Sequence, residues 1–236
     1  MAKKAIVTCE HAGNRVPADY HHIIDEDDEI LNTHRGYDIG ALELTHTIAE
    51  EMGVDPEIHK TTRLLVDLNR SLNHPAAFSD YLSDIEQETK KHIVDNIYEP
   101  HRQKVRKEIA NLIEEDHRVV HLSVHTFTPQ MNGVTRQTDI GLLFDPVRDH
   151  ENRFCEEWRR QIKRMEPSLR VRMNYPYRGV MDGFSTSLRK EFPDRRYLGP
   201  ELELNQKYVL SEGKKRWEEI QQVLAVSFRR TFEGFE

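Results

Sequence analysis

The fold is decided by the stretch KAIVTCEHAGN at residues 4–14. Its first part, residues 4–9, is apolar and β-branched, which is typical of a buried strand. Its second part turns polar at once, because Glu10 and His11 follow the apolar run directly. In an open α/β sheet, sites gather at the carboxyl ends of strands. The stretch therefore predicts a buried strand that delivers reactive side chains to such an edge.

The rest of the chain alternates apolar runs with segments of helical spacing. The runs predict further strands at residues 64–68, 119–124, 139–144, 169–173 and 198–204. Helical spacing predicts helices at residues 37–52, 151–165, 184–190 and 212–232, and a long charged helical region over 81–115 that is interrupted before Pro100. This alternation predicts an α/β fold, a three-layer sandwich with a central mixed sheet flanked by helices.

Composition limits the class of protein. No repeat, low-complexity tract or Pro/Gly/Ser-rich linker divides the 236 residues, so we expect one domain over residues 1–236. The net charge of −7 and the lack of a long basic block argue against nucleic acid as a partner. No apolar run approaches the roughly 20 residues of a membrane helix, and the N-terminus lacks a signal-peptide pattern, so no membrane association is expected. With only two cysteines, we expect a cytoplasmic protein without a disulfide framework.

Two histidines at strand ends are candidate metal ligands. His11 follows the first predicted strand, and His125 follows the strand at residues 119–124. A catalytic zinc ion takes three protein ligands, usually His with a carboxylate, and leaves one position open. A single histidine is more commonly a hydrogen-bonded structural residue, so the inference depends on the two meeting at one sheet edge. His121 shares the strand face of His125 but lies deeper, which is typical of a core residue.

Two further segments suggest substrate binding and proton transfer. Arg63 and the Asn69-Arg70 pair offer a planar guanidinium donor and a neutral amide, a combination that suits a carboxylate. The alternative is a structural turn in which Asp67 pairs with a nearby arginine. Glu203 lies in a strand that alternates polar and apolar residues, where it is either solvated or directed into a cleft as a general base.

Together these segments resemble the N-formylglutamate amidohydrolase family, from Ala5 to about Tyr208. The resemblance covers both the motifs and their order along the chain. The matching segments are His11-Ala12-Gly13, Asp38 in Arg35-Gly36-Tyr37-Asp38, Asp67-Leu68-Asn69-Arg70, His125-Thr126 and Glu203-Leu204-Asn205-Gln206. The resemblance implies the fold of zinc-dependent carboxypeptidases and related deacylases, which is zinc-exopeptidase-like or phosphorylase/hydrolase-like.

The resemblance also implies a zinc-dependent amidohydrolase that cleaves the amide of a small N-acyl amino acid such as N-formylglutamate. Zn²⁺ would be held by His11, Asp38 and His125 and would lower the pKa of a bound water towards about 7. Glu203 would take the proton from that water and pass it to the leaving nitrogen.

The expected substrate is a small molecule that carries a carboxylate. Asn69 and Arg70, with Arg63, would hold this carboxylate, as an Asn-Arg pair does in the related carboxypeptidases. Arg178 lies in an irregular Gly- and Pro-containing loop, and such loops often carry binding residues, so it is a further candidate contact.

The chain departs from the related enzymes at the third metal ligand. Carboxypeptidases have a His-Xaa-Xaa-Glu motif, whereas the residue three after His11 is Asn14. Asp38 is therefore our choice, with Glu10 and Asn14 as alternatives. Many family members have proline at the position of Glu10, which indicates a divergent branch.

Two other functions remain open at this point. One is a catalytically silent domain that binds a carboxylate metabolite, and the other is a peptidase or deacylase with a different substrate on the same scaffold. The sequence predicts no particular oligomeric state.

Overall fold

The computed structural model describes residues 1–236. The strands are β1 Lys3–Cys9, β2 Glu57–Ile58, β3 Arg118–Phe127, β4 Gln130–Met131, β5 Val134–Thr135, β6 Ile140–Leu143, β7 Val171–Met173, β8 Tyr197–Leu198 and β9 Glu201–Asn205. The α-helices are α1 Ala41–Met52, α2 Gln87–Ile93, α3 Glu99–Glu114, α4 Asp149–Met165, α5 Phe184–Glu191, α6 Lys207–Leu210 and α7 Lys214–Gly234. A π-helical turn, Val94–Tyr98, joins α2 to α3.

Seven strands form one mixed sheet. Their order is β2-β1-β3-β9-β6-β7, and β8 pairs with the first part of β3. All neighbours are parallel except β9 and β6, which run antiparallel. The short strands β4 and β5 form a separate hairpin. The predicted mixed sheet is therefore confirmed, and the carboxyl ends of β1, β3 and β9 lie at the same edge.

The two faces of the sheet differ in chemistry. Side chains alternate along a strand, so Val120, Leu122 and Val124 of β3 point to one face and join a cluster of 24 buried residues that includes side chains of α1, α4 and α7. His121 and Ser123 point to the other face, where α3 and α5 pack. Helices thus cover both faces, which confirms the three-layer sandwich.

Three predicted elements differ from the structure. Residues 64–68 are not a strand but a series of turns, whose buried leucines and valine pack in a separate cluster with α2 and the π-helical turn. Pro100 does not end the helical region, because the interruption expected before it is a local change from α-helix to the π-helical turn. The strand predicted at 198–204 is two strands, β8 and β9, separated by Gly199 and Pro200.

The first long helix also begins later than predicted. The helix expected from residue 37 starts at Ala41, because Gly40 has a left-handed backbone with φ +84°. The preceding residues are left as an irregular segment that carries Asp38. No helix of the protein is long and apolar enough to cross a bilayer.

Candidate active site

One pocket opens at the carboxyl edge of β1, β3 and β9. Its walls come from these strand ends, from the irregular segments before α1 and after β2, and from the loop that precedes α5. Every site residue expected from the sequence lines this pocket: His11, Asp38, Arg63, Asn69, Arg70, His125, Arg178 and Glu203. The structure therefore brings together side chains that lie up to 192 positions apart in the chain, from His11 to Glu203.

The sheet and its flanking segment position the central side chains. His125 on β3 lies opposite Glu203 on β9 in the parallel register, so both project from the polar face. His11 follows the end of β1 by two residues. Its carbonyl oxygen accepts a hydrogen bond from the backbone N–H of Asp38 at 3.0 Å, which holds the irregular segment against the sheet edge.

Three buried side chains converge in this pocket as a possible metal site. The Nδ1 atoms of His125 and His11 lie 2.9 Å and 3.4 Å from the same oxygen, Oδ2 of Asp38. One potential ligand atom from each of the three residues lies within 4.8 Å of the others. Two imidazole nitrogens and one carboxylate oxygen match the ligand set of a catalytic zinc ion.

The second ring nitrogen of each histidine has an oxygen partner. Nε2 of His11 lies 2.7 Å from Oδ1 of Asp67, and Nε2 of His125 lies 2.9 Å from Oγ of Ser123. Histidines that bind metals characteristically donate the other ring N–H to such an acceptor. The surroundings of both rings therefore fit a metal held through Nδ1.

The two alternative ligands point elsewhere. Asn14 donates through Nδ2 to the carbonyl oxygen of Leu31 and to Oδ1 of Asn32, both at 3.0 Å. Glu10 is directed to the opposite side of His125, where its Oε2 accepts from Ser123. Of the three candidates, only Asp38 contributes an oxygen to the group.

Arg63 pairs with two aspartates rather than projecting freely into the pocket. Its Nη1 lies 3.3 Å from Oδ1 of Asp38, and its Nη2 lies 2.5 Å from Oδ2 of Asp67. The structural turn that was considered for residues 67–70 is thus also present, with Asp67 paired to an arginine. The contact of Asp67 with His11 was not expected. A carboxylate four residues after Arg63 was the available signal, but it gives no indication of a distant histidine.

The charges of these neighbours keep both aspartates ionised. Burial alone would raise the pKa of Asp38 and of Asp67. His11 and Arg63 outweigh burial and hold both pKa values well below the ordinary aspartate range. Asp38 is therefore available as an ionised carboxylate for a cation.

Glu203 has the opposite electrostatic environment. Burial raises its pKa to about 8, and the nearby negative charges of Asp38 and Glu201 add to this effect, while His125 opposes it. Its Oε2 is buried and makes no hydrogen bond. Glu201, on the same face of β9, instead lies 3.5 Å from Nη2 of Arg189. Glu203 is thus the carboxyl of this strand that is free to exchange a proton in the pocket.

The Asn69-Arg70 pair is tied to the loop before α5. Oδ1 of Asn69 accepts from the backbone N–H of Phe184 at 2.7 Å, and Nη1 of Arg70 donates to the carbonyl oxygen of Asp182 at 2.9 Å. Arg178, in the same loop, is exposed. The pocket thus has cationic groups on the side formed by this loop.

An apolar wall completes the pocket, and an apolar lining as such was not expected from the sequence. It consists of Phe127, Met131, Leu143, Tyr177 and Met181. Gly141 allows the loop to approach, because a Cβ at this position would lie 1.8 Å from the carbonyl oxygen of Tyr175. Gly141 is also the partner of Glu203 in the antiparallel register of β6 and β9. The lack of a side chain there was the one signal in the sequence for this close contact.

Comparison with known proteins places the chain in a family. The model of the N-formylglutamate amidohydrolase family matches residues 3–210. The chain belongs to this family. The resemblance inferred from the motifs is therefore confirmed, and membership supports a hydrolase that acts on an amide bond. A search of curated proteins finds no match.

Several solved structures share the fold. A gene product of Agrobacterium tumefaciens is 23% identical, with a TM-score of 0.82 over 97% of this chain and 90% of that one. The N-formylglutamate amidohydrolase of Ralstonia eutropha JMP134 is 16% identical, with a TM-score of 0.74 over 99% and 94% of the two chains. The CwlD amidase of Clostridioides difficile, solved with the GerS lipoprotein, is 12% identical, with a TM-score of 0.51 over 98% of each chain. At these identities the similarity concerns the fold alone.

Proposed function

We propose that this member of the family is a zinc-dependent amidohydrolase that cleaves the amide of a small N-acyl amino acid such as N-formylglutamate. The observation that carries the proposal is the convergence of two Nδ1 atoms, from His11 and His125, on one oxygen of Asp38. These three residues would hold the ion. When bound, zinc supplies a Lewis acid that polarises the scissile carbonyl and makes water nucleophilic near neutral pH.

Glu203 is the proton carrier in this proposal. Water adds to the acyl carbon, the C–N bond breaks, and the products are a carboxylic acid and a free amine. Glu203 accepts the proton that water loses and returns it to the leaving nitrogen. Its raised pKa supports this role, because it makes the ionised carboxylate a stronger base and its acid form a donor near neutral pH.

Arg70, Asn69 and Arg178 are the proposed contacts for the substrate carboxylate. A charged clamp on one side of the pocket fixes the amide relative to Glu203, and this restriction lowers the entropic cost of reaction. Arg63 has a different proposed role. Because it already pairs with Asp38 and Asp67, we assign it to holding these carboxylates.

The proposal is tested by metal content and turnover together. The purified chain is stripped with a chelator, reloaded with zinc, and assayed with N-formylglutamate beside an Asp38→Asn variant. We expect one zinc per wild-type chain, with turnover that depends on zinc, and neither property in the variant. A wild-type protein that takes up no stoichiometric zinc would favour the silent carboxylate-binding domain instead.

The apolar wall favours a second candidate, a deacylase or peptidase on the same scaffold. Met131 and Met181 line the pocket and are 41% and 47% exposed. Exposed methionines at a pocket mouth suit an apolar substrate group, whereas N-formylglutamate offers little apolar surface. A panel of N-formyl and N-acetyl derivatives of glutamate, methionine and leucine, with dipeptides, separates the two. Higher kcat/KM for the apolar members would favour the second candidate.

A further inference from the structure

Glu10 is a buried carboxylate that the proposed chemistry does not use. It follows the end of β1 and is 0% exposed. Its Oε2 accepts a hydrogen bond from Oγ of Ser123 at 2.6 Å and lies 3.4 Å from Nε2 of His125. Its Oε1 makes no hydrogen bond and lies 3.5 Å from Nε2 of His101. Glu10 therefore contacts the side of His125 that faces away from Asp38.

These contacts fix the direction of the hydrogen bonds. Both oxygens of Glu10 face histidine nitrogens, Oε1 at 3.5 Å from His101 and Oε2 at 3.4 Å from His125, which is the environment of a carboxylate. An ionised carboxylate can only accept hydrogen bonds, so the single hydroxyl hydrogen of Ser123 is directed to Glu10. The oxygen of Ser123 is then an acceptor for Nε2–H of His125. The hydrogen on Nε2 leaves Nδ1 of the neutral ring with a lone pair.

A second donor near Nε2 of His125 does not reverse the direction of the hydrogen bond from Nε2–H to Ser123. Nδ2 of Asn69 lies 3.2 Å from Nε2 of His125. Oγ of Ser123 lies nearer to this nitrogen, at 2.9 Å, and offers it an acceptor. Glu10 and Ser123 remain the acceptors for Nε2–H.

Stability alone does not account for Glu10. A carboxylate taken out of water loses its hydration, and replacing such a group with an uncharged residue of similar size is often neutral or stabilising. The compensation at Glu10 is incomplete, because Oε1 makes no hydrogen bond and neither ring nitrogen of His101 makes one. A costly, partly compensated charge beside a candidate ligand indicates a functional role.

We propose that Glu10 is a positioning residue for the metal centre. Through Ser123 it fixes the tautomer of His125 in which Nδ1 is free to bind the ion. Asp67 makes the equivalent contact to His11 directly, at 2.7 Å. This inference rests on the proposed zinc-dependent function and adds a residue to it.

The test measures zinc affinity by chelator competition in two variants, Glu10→Gln and Ser123→Ala. Glu10→Gln keeps the shape but can donate as well as accept, so it no longer imposes one hydrogen-bond direction. Ser123→Ala leaves the carboxylate and removes the connecting hydroxyl. We expect the zinc Kd to rise about 10- to 100-fold in each, as is typical when the outer partner of a metal-binding histidine is lost. In zinc-saturated protein we expect a fall in kcat with little change in KM.

Thr8→Val is the matched control. Thr8 is fully buried on the same face of β1, hydrogen-bonds to His121 at 2.9 Å, and has no contact with the pocket. Its zinc Kd should equal that of the wild type. Thermal unfolding of the metal-free proteins separates a structural role of Glu10 from a positioning role. If Glu10 only positions His125, Glu10→Gln should be no less stable than the wild type.

The outcomes are distinguishable. Unchanged zinc affinity in Glu10→Gln and Ser123→Ala, with normal uptake by the wild type, would overturn this inference alone. Weaker affinity in Thr8→Val to the same degree would also overturn it, because any disturbance of the buried layer would then have the same effect. A wild-type protein that takes up no zinc would overturn this inference and the proposed function together.

Discussion

His125 and Glu203 lie directly opposite each other in the parallel register of β3 and β9. Both side chains project from the polar face of the sheet, and both are buried. The backbone hydrogen bonds of two central strands therefore set the separation between the proposed metal ligand and the proposed proton carrier. A site on such rigid elements keeps its geometry better than one on loops.

We expect Glu203→Gln to bind zinc normally and to lose turnover by about 10²- to 10⁴-fold, the usual contribution of general acid–base catalysis. The amide keeps the shape of the side chain but cannot carry the proton. Zinc content and kcat are measured on the same preparation. Glu201→Gln, two residues away in an ion pair with Arg189, serves as the comparison and should be much less affected in kcat. Normal turnover in Glu203→Gln would contradict the role.

Arg70→Ala should raise KM by about tenfold or more with zinc content unchanged, because a charge-assisted hydrogen bond to the substrate carboxylate is lost. Steady-state kinetics with N-formylglutamate give KM and kcat separately. Arg70→Lys should show a smaller rise, since it keeps the charge but not the planar fork. If Arg70→Ala instead lost zinc, the arginine would support the metal site rather than the substrate.

Arg63→Ala should weaken zinc binding more than substrate binding. Arg63 pairs with the two carboxylates that contact His11, so its removal leaves Asp38 and Asp67 without their shared cation. Chelator competition and KM together decide between this role and the carboxylate clamp expected from the sequence. A large rise in KM with unchanged zinc affinity would restore the original interpretation.

Removal of zinc should lower the thermal stability of the wild type. A ligand present at 100 times its Kd stabilises the folded state by about 2.7 kcal/mol, which corresponds to about 5–10 °C in Tm for a chain of this size. Calorimetry with and without a chelator measures the shift, and His125→Ala should show none. An equal shift in His125→Ala would indicate binding elsewhere.

Stability should also fall in mild acid because of His121. Burial lowers its pKa to about 4, and the ring is held neutral between Oγ1 of Thr8 and the hydroxyl of Tyr197, at 2.9 Å and 2.8 Å. The unfolded chain takes up this proton near pH 6.5, whereas the folded protein does not, so stability is lost as the pH falls from 6.5 to 4.

The size of this effect follows from the shift in pKa. The free energy of unfolding falls by about 3 kcal/mol between pH 6.5 and pH 4. The variant His121→Gln should lack this loss. Urea unfolding of both proteins at pH 7.5 and pH 4.5 measures the difference. The same pH dependence in both proteins would contradict the assignment.

The central strands could be predicted because their sequences are continuous apolar runs. The run at residues 64–68 looks the same, yet it forms turns, because its apolar side chains are buried in a separate cluster rather than in the sheet. Apolar character reports burial, and in a run this short it does not distinguish a strand from a buried irregular segment.

The meeting of the proposed site residues in one pocket could also be predicted, because parallel strands bring their carboxyl ends to one edge. The partners that orient them could not. Asp67 contacts His11 across 56 positions of the chain, and Glu10 contacts Ser123 across 113. Such contacts depend on the pairing of distant segments and on side-chain rotamers, neither of which leaves a periodic pattern.

The larger apolar cluster lies on one face of the sheet and the pocket residues on the other, and this separation matters for engineering the substrate specificity. The larger apolar cluster lies on the face covered by α1, α4 and α7, away from the pocket. Mutations around the pocket thus leave most of the folding energy intact. A combinatorial library confined to the apolar wall, at Met131, Tyr177 and Met181, can therefore sample new acyl specificities while its members still fold.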